Sequence, residues 1–419
     1  MSRPRIAVIG AGWAGLAASI ELAPVGEVVV FEAGREAGGR ARRVRDDSES
    51  LDNGQHILIG AYRECLRLMR CVGSDPERSL QRLPLSWYQA DGLRMACPSL
   101  PAPWHLVLGL LRADGLSWGE KYHLARALGT LRRSGWQVAE DGTVSGWLRR
   151  ERQPEALLER FWRPLVLSAL NTPLEIASMR ILATVLRDSL GGSRADSDLL
   201  LPRGDLSALF PDPACAWLRE HGAELRFGHR VDSLETVEGG VRVEGERFDA
   251  AIVAVAPYHA LALIGEEAMP AGVKDLSFWP IYTVYLRFAR PVRLPRAMTG
   301  LAHGTVHWMF SRADGLFAAV ISAPDAATLP SRTALVAAVV ADARRVDPGL
   351  PEPLWSRVVV EKRATFAAVP GRIRPPARTG LPQVYLAGDW VDSPYPATLE
   401  GAVRSGVGAA DALRQDWDS

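Results

Sequence analysis

The chain has 419 residues and a formal net charge of +1 at pH 7, with 47% hydrophobic and 23% charged residues. These values are typical of a globular protein and exclude a disordered chain. The balanced charge argues against a nucleic-acid partner, which needs an extended basic surface. The length exceeds that of one ordinary core, so we expect two domains.

The cysteines and the hydrophobic runs indicate the cellular compartment. The four cysteines form no C-x-x-C pair and have no histidine at zinc spacing, so we expect a reduced, cytoplasmic protein with no metal site. They are Cys65, Cys71, Cys97 and Cys215. The first apolar run, residues 6–9, is too short and too glycine-flanked for a signal peptide. The sequence has no run of about 20 uninterrupted apolar residues, so we expect no membrane-spanning helix.

Residues 5–32 have the pattern of a strand, a helix and a second strand. Residues 5–9 (RIAVI) form a short apolar run that ends in glycines, residues 14–22 have helical composition, and residues 27–32 (EVVVFE) form another apolar run. Strands without polar alternation are typical of a parallel sheet that is buried on both faces. The segment therefore predicts a βαβ unit.

Helical and β patterns alternate along the rest of the chain. Residues 100–135 are expected to be helical in pieces, and residues 143–190 continue helical with breaks at Pro154, Pro164 and Pro173. Strands are expected at residues 224–227, 231–234, 240–244, 250–256, 280–288, 305–310, 317–322, 356–366 and 383–387. Further helices are expected at residues 212–221, 333–345 and 399–414.

A glycine-rich turn joins the first strand to the first helix. Gly10, Gly12 and Gly15 match G-x-G-x-x-G, in which the glycines make the turn, admit a pyrophosphate and allow helix–strand packing. The first helical turn, which includes Ala14, offers free N–H groups to phosphate. Glu32 ends the second strand about 20 residues further on, where a carboxylate holds ribose hydroxyls. This context predicts a Rossmann-type dinucleotide site.

A second glycine pair identifies the kind of dinucleotide. Residues 32–40 (EAGREAGGR) contain Gly38, Gly39 and Arg40 and resemble the E-x(6)-G-G-R extension of the flavin amine oxidase and carotenoid desaturase superfamily. The two glycines permit close backbone approach, and a guanidinium group suits a pyrophosphate. The resemblance implies FAD rather than a nicotinamide cofactor.

The C-terminal part carries the matching signature of that superfamily. Residues 384–390 (VYLAGDW) read as a strand ending in Gly-Asp, and residues 398–402 (TLEGA) open the last helix, whose N-terminus favours the negative charge of a reduced flavin. We expect FAD to be non-covalent, because no cysteine follows Cys215. The expected cofactor-binding residues are Gly10, Gly12, Ala14, Gly15, Glu32, Ala33, Gly38, Gly39, Arg40, Gly54, Val231, Gly388, Asp389, Thr398, Glu400, Gly401 and Ala402.

These motifs predict an α/β protein with two units. The first is a discontinuous Rossmann-type FAD-binding domain, and the second is an α+β substrate domain like those of the amine oxidases and desaturases. We expect residues 1–70, 200–260 and 370–419 to form the FAD-binding domain. Residues 71–199 and 261–369 would form the substrate-binding domain.

Seven short strings indicate a narrower family. They lie at residues 51–56 (LDNGQH), 161–164 (FWRP), 169–173 (ALNTP), 186–190 (LRDSL), 199–202 (LLLP), 361–366 (EKRATF) and 396–402 (PATLEGA). They resemble the bacterial squalene-associated FAD-dependent desaturases, which are hydroxysqualene dehydroxylases of hopanoid synthesis. The resemblance implies that hydroxysqualene, a hydrophobic C30 isoprenoid, loses its allylic hydroxyl as water and receives a hydride from reduced FAD to give squalene.

Such a reaction needs an acid or a hydrogen-bond donor, because hydroxide is a poor leaving group. His56 is the first candidate, since it ends a turn that is expected to pass the flavin; a structural histidine that bonds the backbone is an equal alternative. Asp52, Gln55 and Tyr395 are the weaker catalytic candidates, and each has a structural alternative as well.

Aromatic residues are the expected lining of the substrate cavity. Trp308, Tyr282 and Tyr285 lie on predicted strands, and aromatic faces stabilise a developing cation. Side chains of this kind are more often part of the core, and we expect this for two of the three.

The segment around residues 100–136 combines apolar, aromatic and basic residues. Residues 100–111 are the most apolar stretch of the middle region, and tryptophans alternate with arginines after it. This pattern suits an interfacial helix, so we expect peripheral contact with the inner face of the cell membrane, including Leu108 and Leu111. A cap that packs on the core is the alternative.

Other functions remain open on the same fold. A carotenoid-type desaturase or a flavin amine oxidase would oxidise its substrate and need oxygen or a quinone, whereas the dehydroxylase needs a reductant. An amine oxidase usually has a flavin-facing lysine, and this chain has three lysines in all. A non-catalytic FAD-binding partner of prenyl synthases is a third possibility.

Overall fold

The computed structural model describes residues 3–46, 49–312, 314–324 and 330–418. Its strands are β1 (Arg5–Ile9), β2 (Glu27–Glu32), β3 (Arg43–Asp46), β4 (Glu49–Asp52), β5 (Leu58–Ile59), β6 (Leu80–Leu83), β7 (Ser86–Tyr88), β8 (Arg94–Ala96), β9 (Leu199–Pro202), β10 (Glu224–Phe227), β11 (Leu234–Val237), β12 (Gly240–Val243), β13 (Glu246–Phe248), β14 (Ala250–Val253), β15 (Phe278–Arg287), β16 (Thr299–Gly300), β17 (Trp308–Ser311), β18 (Leu316–Ser322), β19 (Trp355–Phe366) and β20 (Val384–Leu386).

The helices connect these strands or form the middle of the chain. They are α1 (Trp13–Leu22), α2 (Arg63–Cys71), α3 (Pro76–Ser79), α4 (Trp104–Leu111), α5 (Trp118–Arg133), α6 (Val144–Arg150), α7 (Glu155–Leu157), α8 (Arg163–Leu170), α9 (Met179–Leu190), α10 (Leu206–Leu209), α11 (Pro211–Glu220), α12 (Pro257–Ile264), α13 (Arg332–Val346) and α14 (Leu399–Trp417). A π-helical segment (Leu158–Trp162) joins α7 to α8, and a 3-10 helix (Arg194–Ser197) precedes β9.

Five parallel strands form one sheet in the order β10-β2-β1-β14-β20. Both of its faces are covered, by α1, α11 and α14 on one side and by the small antiparallel sheet β11-β12-β13 on the other. This burial explains why the strands are apolar without alternation. The strands come from three separated parts of the chain, so the predicted discontinuous Rossmann-type fold is confirmed.

The parallel sheet brings segments from the N-terminal and C-terminal parts of the chain together at one edge. Because carboxyl ends of parallel strands meet at the same edge, the turn after β1 lies beside the segments that follow β14 and β20. Gly10 approaches Ala254 so closely that a Cβ there would lie 2.7 Å from the Ala254 carbonyl oxygen. The Trp390 indole donates to the Val255 carbonyl oxygen over 3.1 Å.

A second, antiparallel sheet has the order β16-β17-β18-β15-β19. Successive residues of β15 point to opposite faces. Tyr285 packs in the core that also contains residues of the parallel sheet, whereas Val284 and Leu286 pack in a separate core that includes α13 residues. The helices of the middle region complete this unit, and the predicted α+β architecture is confirmed.

The structure corrects several predicted boundaries. The strand expected at residues 231–234 begins only at Leu234, and the one expected at 305–310 begins at Trp308. Residues 100–135, which were expected to be helical in pieces, form two helices as predicted, and the chain turns between them at Gly115, whose φ of 83° suits glycine. The limits of the two domains stay predictions; Val72 and Leu80, beyond the expected boundary, pack in the same core as α1 and α14.

Candidate active site

The first glycine turn has two positions without room for a side chain and one with room. A Cβ on Gly15 would lie 1.9 Å from the Gly10 carbonyl oxygen, so the start of α1 touches the turn. A Cβ on Gly12 would meet nothing nearer than the Gly39 Cα, 3.9 Å away. The space above Gly12 is therefore open to a ligand rather than used by the fold.

The N-terminus of α1 faces this turn without a side-chain cap. Gly12 is its N-cap and provides no side-chain cap, and the first turn contains no acidic residue. The free N–H groups and the positive end of the helix dipole are therefore left for a phosphate. Ala14, in that first turn, is buried and small.

Glu32 is fixed at the end of β2 by the neighbouring backbone. Its carboxylate accepts from the amides of Ala11, over 2.8 Å, and Gly34, over 2.7 Å. Each carboxylate oxygen has more than one acceptor site, so these bonds orient the group and leave capacity for ribose hydroxyls. Ala33 follows directly in the same turn.

The second glycine pair packs against the first glycine turn. The Gly38 amide donates to the Ala11 carbonyl oxygen over 2.8 Å, and Gly12 and Gly38 form a parallel bridge. A Cβ on Gly39 would lie 3.2 Å from the Gly12 Cα. The two turns therefore form one continuous backbone surface, as close approach of a pyrophosphate requires.

Arg40 links the N-terminal and C-terminal signatures. Its guanidinium forms an ion pair with Asp389 over 2.5 Å and donates to the Ala364 carbonyl oxygen over 2.6 Å. Burial opposes the charge of Arg40, but the Asp389 carboxylate more than offsets this, so the pKa of Arg40 is raised. Asp389 follows Gly388, whose amide donates to the Ser405 hydroxyl over 3.0 Å.

The last signature forms the N-terminus of α14. The Thr398 hydroxyl accepts from the Gly401 amide over 3.0 Å, so the helix begins beside the Gly388 segment, with Ala402 in its first turn. The Glu400 carboxylate points elsewhere: it accepts from the amides of Glu64 and Cys65 at the start of α2, over 3.1 and 3.0 Å. It therefore connects α14 to α2.

Val231 is one of the predicted cofactor contacts, and this role stays a prediction. It is 8% exposed, and neither its amide nor its carbonyl forms a hydrogen bond within the described part of the chain. Buried backbone groups are rarely left unpaired, so this position favours a ligand that supplies the missing partner. Taken with the open surface at Gly12 and the uncapped α1, the residues present fit FAD.

Asp52 has a structural environment. It is 1% exposed, its carboxylate accepts from the Leu206 amide over 2.8 Å, and the Arg312 guanidinium lies 3.5 Å away. Burial raises the pKa of Asp52 to about 6. The Tyr285 hydroxyl donates to the Asp52 carbonyl oxygen over 3.0 Å. Asp52 therefore joins β4 to α10 and to the antiparallel sheet.

Unlike the side chains of Asp52 and Tyr395, the His56 imidazole has no hydrogen bond to any described residue. Its Nε2 atom lies 3.8 Å from the position that a Cβ of Gly54 would take. Burial, and then the nearby Arg40 guanidinium, lower the pKa of His56 to about 4. The imidazole is therefore neutral at pH 7 and able to bond a ligand.

The remaining candidates have less direct positions. The Tyr395 hydroxyl donates to the Asp188 carboxylate over 2.7 Å, and its ring lies 5.0 Å from the Arg404 guanidinium, so it connects the C-terminal segment to α9. Gln55 is half-buried beside His56. Whether any of these residues acts in catalysis stays a prediction.

Sequence reasoning missed two contributors next to this segment. Thr283 lies on β15 with its hydroxyl 3.9 Å from the same Gly54 Cβ position, and Glu361 on β19 accepts from the Asn53 amide group over 3.1 Å. Thr283 has no signal in the sequence, because a threonine among apolar and aromatic residues fits an ordinary strand. The residues that lie next to Thr283 are known only once the register of β15 with β18 and β19 is known.

Comparison with known proteins agrees with this site. The chain matches the family described as "Flavin containing amine oxidoreductase" over residues 13–414. It is 32% identical to a hydroxysqualene dehydroxylase of Rhodopseudomonas palustris, over 97% of each chain. It is 25% identical to a 15-cis-phytoene desaturase of Solanum lycopersicum, over 99% of this chain and 78% of that relative.

A solved structure shows the same fold. Cyclohexylamine oxidase from Brevibacterium oxydans aligns with a TM-score of 0.71 and 19% identity over the whole of both chains. The fold and the site thus define an FAD-dependent oxidoreductase. More narrowly, the chain belongs to the flavin-containing amine oxidoreductase family and groups with its hydroxysqualene dehydroxylases.

Proposed function

We propose that this flavoenzyme converts hydroxysqualene to squalene by reductive dehydroxylation, as a step of squalene and hopanoid biosynthesis. The observation that carries the proposal is the match over 96–97% of the chain, at 28–32% identity, to three proteins named hydroxysqualene dehydroxylase. The desaturase relatives cover the chain equally well but at 24–25% identity.

The reaction places three requirements on the site. The C–O bond breaks, the oxygen leaves as water after taking up a proton, and the carbon receives the hydride that reduced FAD supplies. The chain must hold the leaving oxygen, deliver or guide the proton, and exclude bulk water from the cationic carbon. An apolar sheet face beside residues 52–56 suits the last requirement.

His56 is the residue best placed to guide the proton. Asp52 and Tyr395 already use their side chains in contacts with Leu206 and Asp188. The His56 imidazole lacks such a partner among the described residues, and its low pKa makes the imidazolium a strong acid that is scarce at neutral pH. Gln55 offers a hydrogen bond but no acidic proton.

An amine oxidase is the less favoured alternative. None of the three lysines is buried: Lys274 pairs with Glu266 at the surface, and the Lys121 ammonium lies 4.7 Å from the ring centre of exposed Trp118. Lys362 is exposed on β19. A carotenoid-type desaturase remains distinguishable by the direction of electron flow, because it would reduce oxidised FAD.

We also propose that α4 and α5 form a membrane-facing surface. Trp104, Val107 and Leu111 lie on one stripe of α4 and are 63%, 42% and 47% exposed, and Trp118 and Tyr122 on α5 are 70% and 66% exposed. Leu108, an expected contact, is only half-exposed. The apolar stripe with tryptophans and neighbouring basic residues suits the inner face of the cell membrane. Among the described helices, none is long and apolar enough to cross a bilayer.

An anaerobic single turnover tests the reaction. Photoreduced enzyme is mixed with hydroxysqualene in detergent, the absorbance of oxidised flavin near ~450 nm is followed, and the lipid is extracted for mass analysis. Flavin oxidation together with squalene supports the dehydroxylase. Reduced flavin with intact hydroxysqualene would overturn it, and squalene formation by the isolated protein would exclude a non-catalytic partner.

A further inference from the structure

We propose that the Thr283 hydroxyl and the His56 imidazole together form the binding site for the single hydroxyl group of the substrate. The proposal deepens the proposed function and rests on it for the identity of the alcohol. It adds no chemical step: Thr283 holds the oxygen that leaves and is unchanged by the reaction.

The Thr283 hydroxyl is buried without a partner. The residue is 1% exposed, and its Oγ1 atom has no hydrogen bond within the described ranges. An unsatisfied buried hydroxyl loses its hydrogen bonds to water without replacement, and such groups are rare in folded proteins. Valine has the same shape, so packing alone gives no reason for a hydroxyl at this position.

The direction of the Thr283 side chain is set by its strand. Residues two apart on a strand share a face, and Tyr285, two residues later, reaches the Asp52 carbonyl oxygen with its hydroxyl. Thr283 therefore faces the segment that contains Gly54 and His56. Its Oγ1 lies 3.9 Å, and the His56 Nε2 atom 3.8 Å, from the point that a Cβ of Gly54 would occupy.

Gly54 keeps the space between these two polar atoms open. Its φ of 141° disfavours other residues, and a Cβ there would lie within 4 Å of both the Thr283 hydroxyl and the His56 Nε2 atom. Thr283 can donate and accept, and the neutral His56 ring has one donor and one acceptor nitrogen. We therefore infer that an alcohol oxygen beside Gly54 takes its hydrogen bonds from these two side chains.

Across the antiparallel sheet, the row of residues that contains Thr283 is otherwise apolar and aromatic. Pairing across four strands puts Trp308, Val320, Thr283 and Val359 in one row on the same sheet face. With strands about 4.8 Å apart, Trp308 stands about 10 Å from Thr283, and Trp87 packs edge-on against it at 5.0 Å. One hydroxyl site in an apolar row matches a long hydrocarbon that carries one hydroxyl.

Binding measurements on the FAD-loaded enzyme test the proposal. Oxidised enzyme is titrated with hydroxysqualene and with squalene, and the perturbation of the flavin spectrum gives each Kd. In wild type the alcohol should bind more tightly than the hydrocarbon. Thr283→Val should raise the Kd of hydroxysqualene about 10-fold, the value of one hydrogen bond to a buried group, and leave that of squalene unchanged. Thr283→Ser should restore the preference.

A matched control separates this role from a structural one. Thr184 is also buried, but its hydroxyl donates to the Arg180 carbonyl oxygen over 3.3 Å, so Thr184→Val should keep the alcohol preference. Thr283→Val should keep its FAD content and have an equal or higher Tm, because the hydroxyl that it removes is buried without a partner among the described residues.

Two results would overturn the proposal. One is an unchanged preference for the alcohol in Thr283→Val, and the other is a loss of FAD affinity with the preference intact, which would assign the hydroxyl to the cofactor. Failure of wild type to form squalene would instead overturn the proposed reaction, while the binding data still decide the role of Thr283.

Discussion

The nucleotide-binding fold and the antiparallel sheet unit differ in how they build a site. The turn from Gly10 to Gly15 needs six consecutive residues, and its steric demands are visible in the glycine spacing. The spot between Thr283 and His56 joins residues more than 200 positions apart through strand register. A cofactor site built from consecutive residues can be recognised from a sequence motif. A substrate site built from residues far apart in the sequence cannot.

The largest effect is expected within the glycine turn. Gly15→Ala would place a Cβ 1.9 Å from a backbone oxygen, so we expect it to abolish folding or to cost several kcal/mol of stability. Gly12→Ala has room in the protein, and we expect a folded chain that has lost most of its FAD affinity. Circular dichroism and flavin content of the two purified variants measure the contrast.

This pair is its own control, since both changes add one methyl group to one turn. A folded, FAD-loaded Gly12→Ala protein would contradict the assignment of the open space to the cofactor. A Gly15→Ala protein that folds and binds FAD like wild type would contradict the close approach of α1 to the turn.

The next effect concerns the rate of the reaction. We expect His56→Gln to keep FAD and to slow the single turnover by about 100-fold or more, the usual contribution of an acid. In wild type the rate should rise as pH falls from 8 towards 5, because the pKa of His56 is about 4 and the imidazolium becomes more populated. The variant should lose this rise.

The pH profile separates His56 from its neighbours. The Arg40 guanidinium, which lowers the pKa of His56, stays charged throughout this range. Asp52 has a pKa of about 6, so a rate that depended on Asp52 would change in a step near pH 6. An equal pH dependence in wild type and His56→Gln would show that another group delivers the proton.

The sequence predicted most of the fold and the identity of the cofactor for a physical reason. Buried parallel strands and glycine turns impose local requirements, so residues 5–40 and 384–402 carry the pattern in themselves. The direction of individual side chains is not local. Glu400 lies in a predicted cofactor motif, yet its carboxylate caps α2, a contact that depends on how α14 crosses that helix.

The catalytic candidates show the same limit. Asp52, Gln55 and His56 lie in one motif, and the motif alone does not tell which side chain is free. The structure separates Asp52 from the other two, because its carboxylate accepts a hydrogen bond from the Leu206 amide and pairs with the Arg312 guanidinium. Thr283 was not predicted at all, since a lone threonine on a strand has no signal until β18 and β19 are paired with it.

A smaller expected effect, on the pH dependence of stability, tests whether Asp52 has a structural role. Its folded pKa of about 6 lies above the usual value of 3.8, so the native state takes up a proton as pH falls through 6, before the unfolded chain does. The ionised carboxylate thus costs stability at pH 7, by about 3 kcal/mol at most. The stability of wild type relative to Asp52→Asn should rise between pH 7 and pH 4, as measured by urea unfolding. Parallel pH curves for the two proteins would contradict this reading.

The smallest expected effect concerns the surface of α4, where the sequence left a membrane contact and a core cap open. Val107→Asp with Leu111→Asp should weaken binding to anionic vesicles about tenfold, because the exposed stripe loses apolar contact. Leu354→Asp is a matched control, since Leu354 is 71% exposed and lies outside α4 and α5. FAD content should be unchanged in all variants. Equal co-sedimentation of the double variant and the control would exclude the membrane face, and would leave the stripe without a role in substrate delivery.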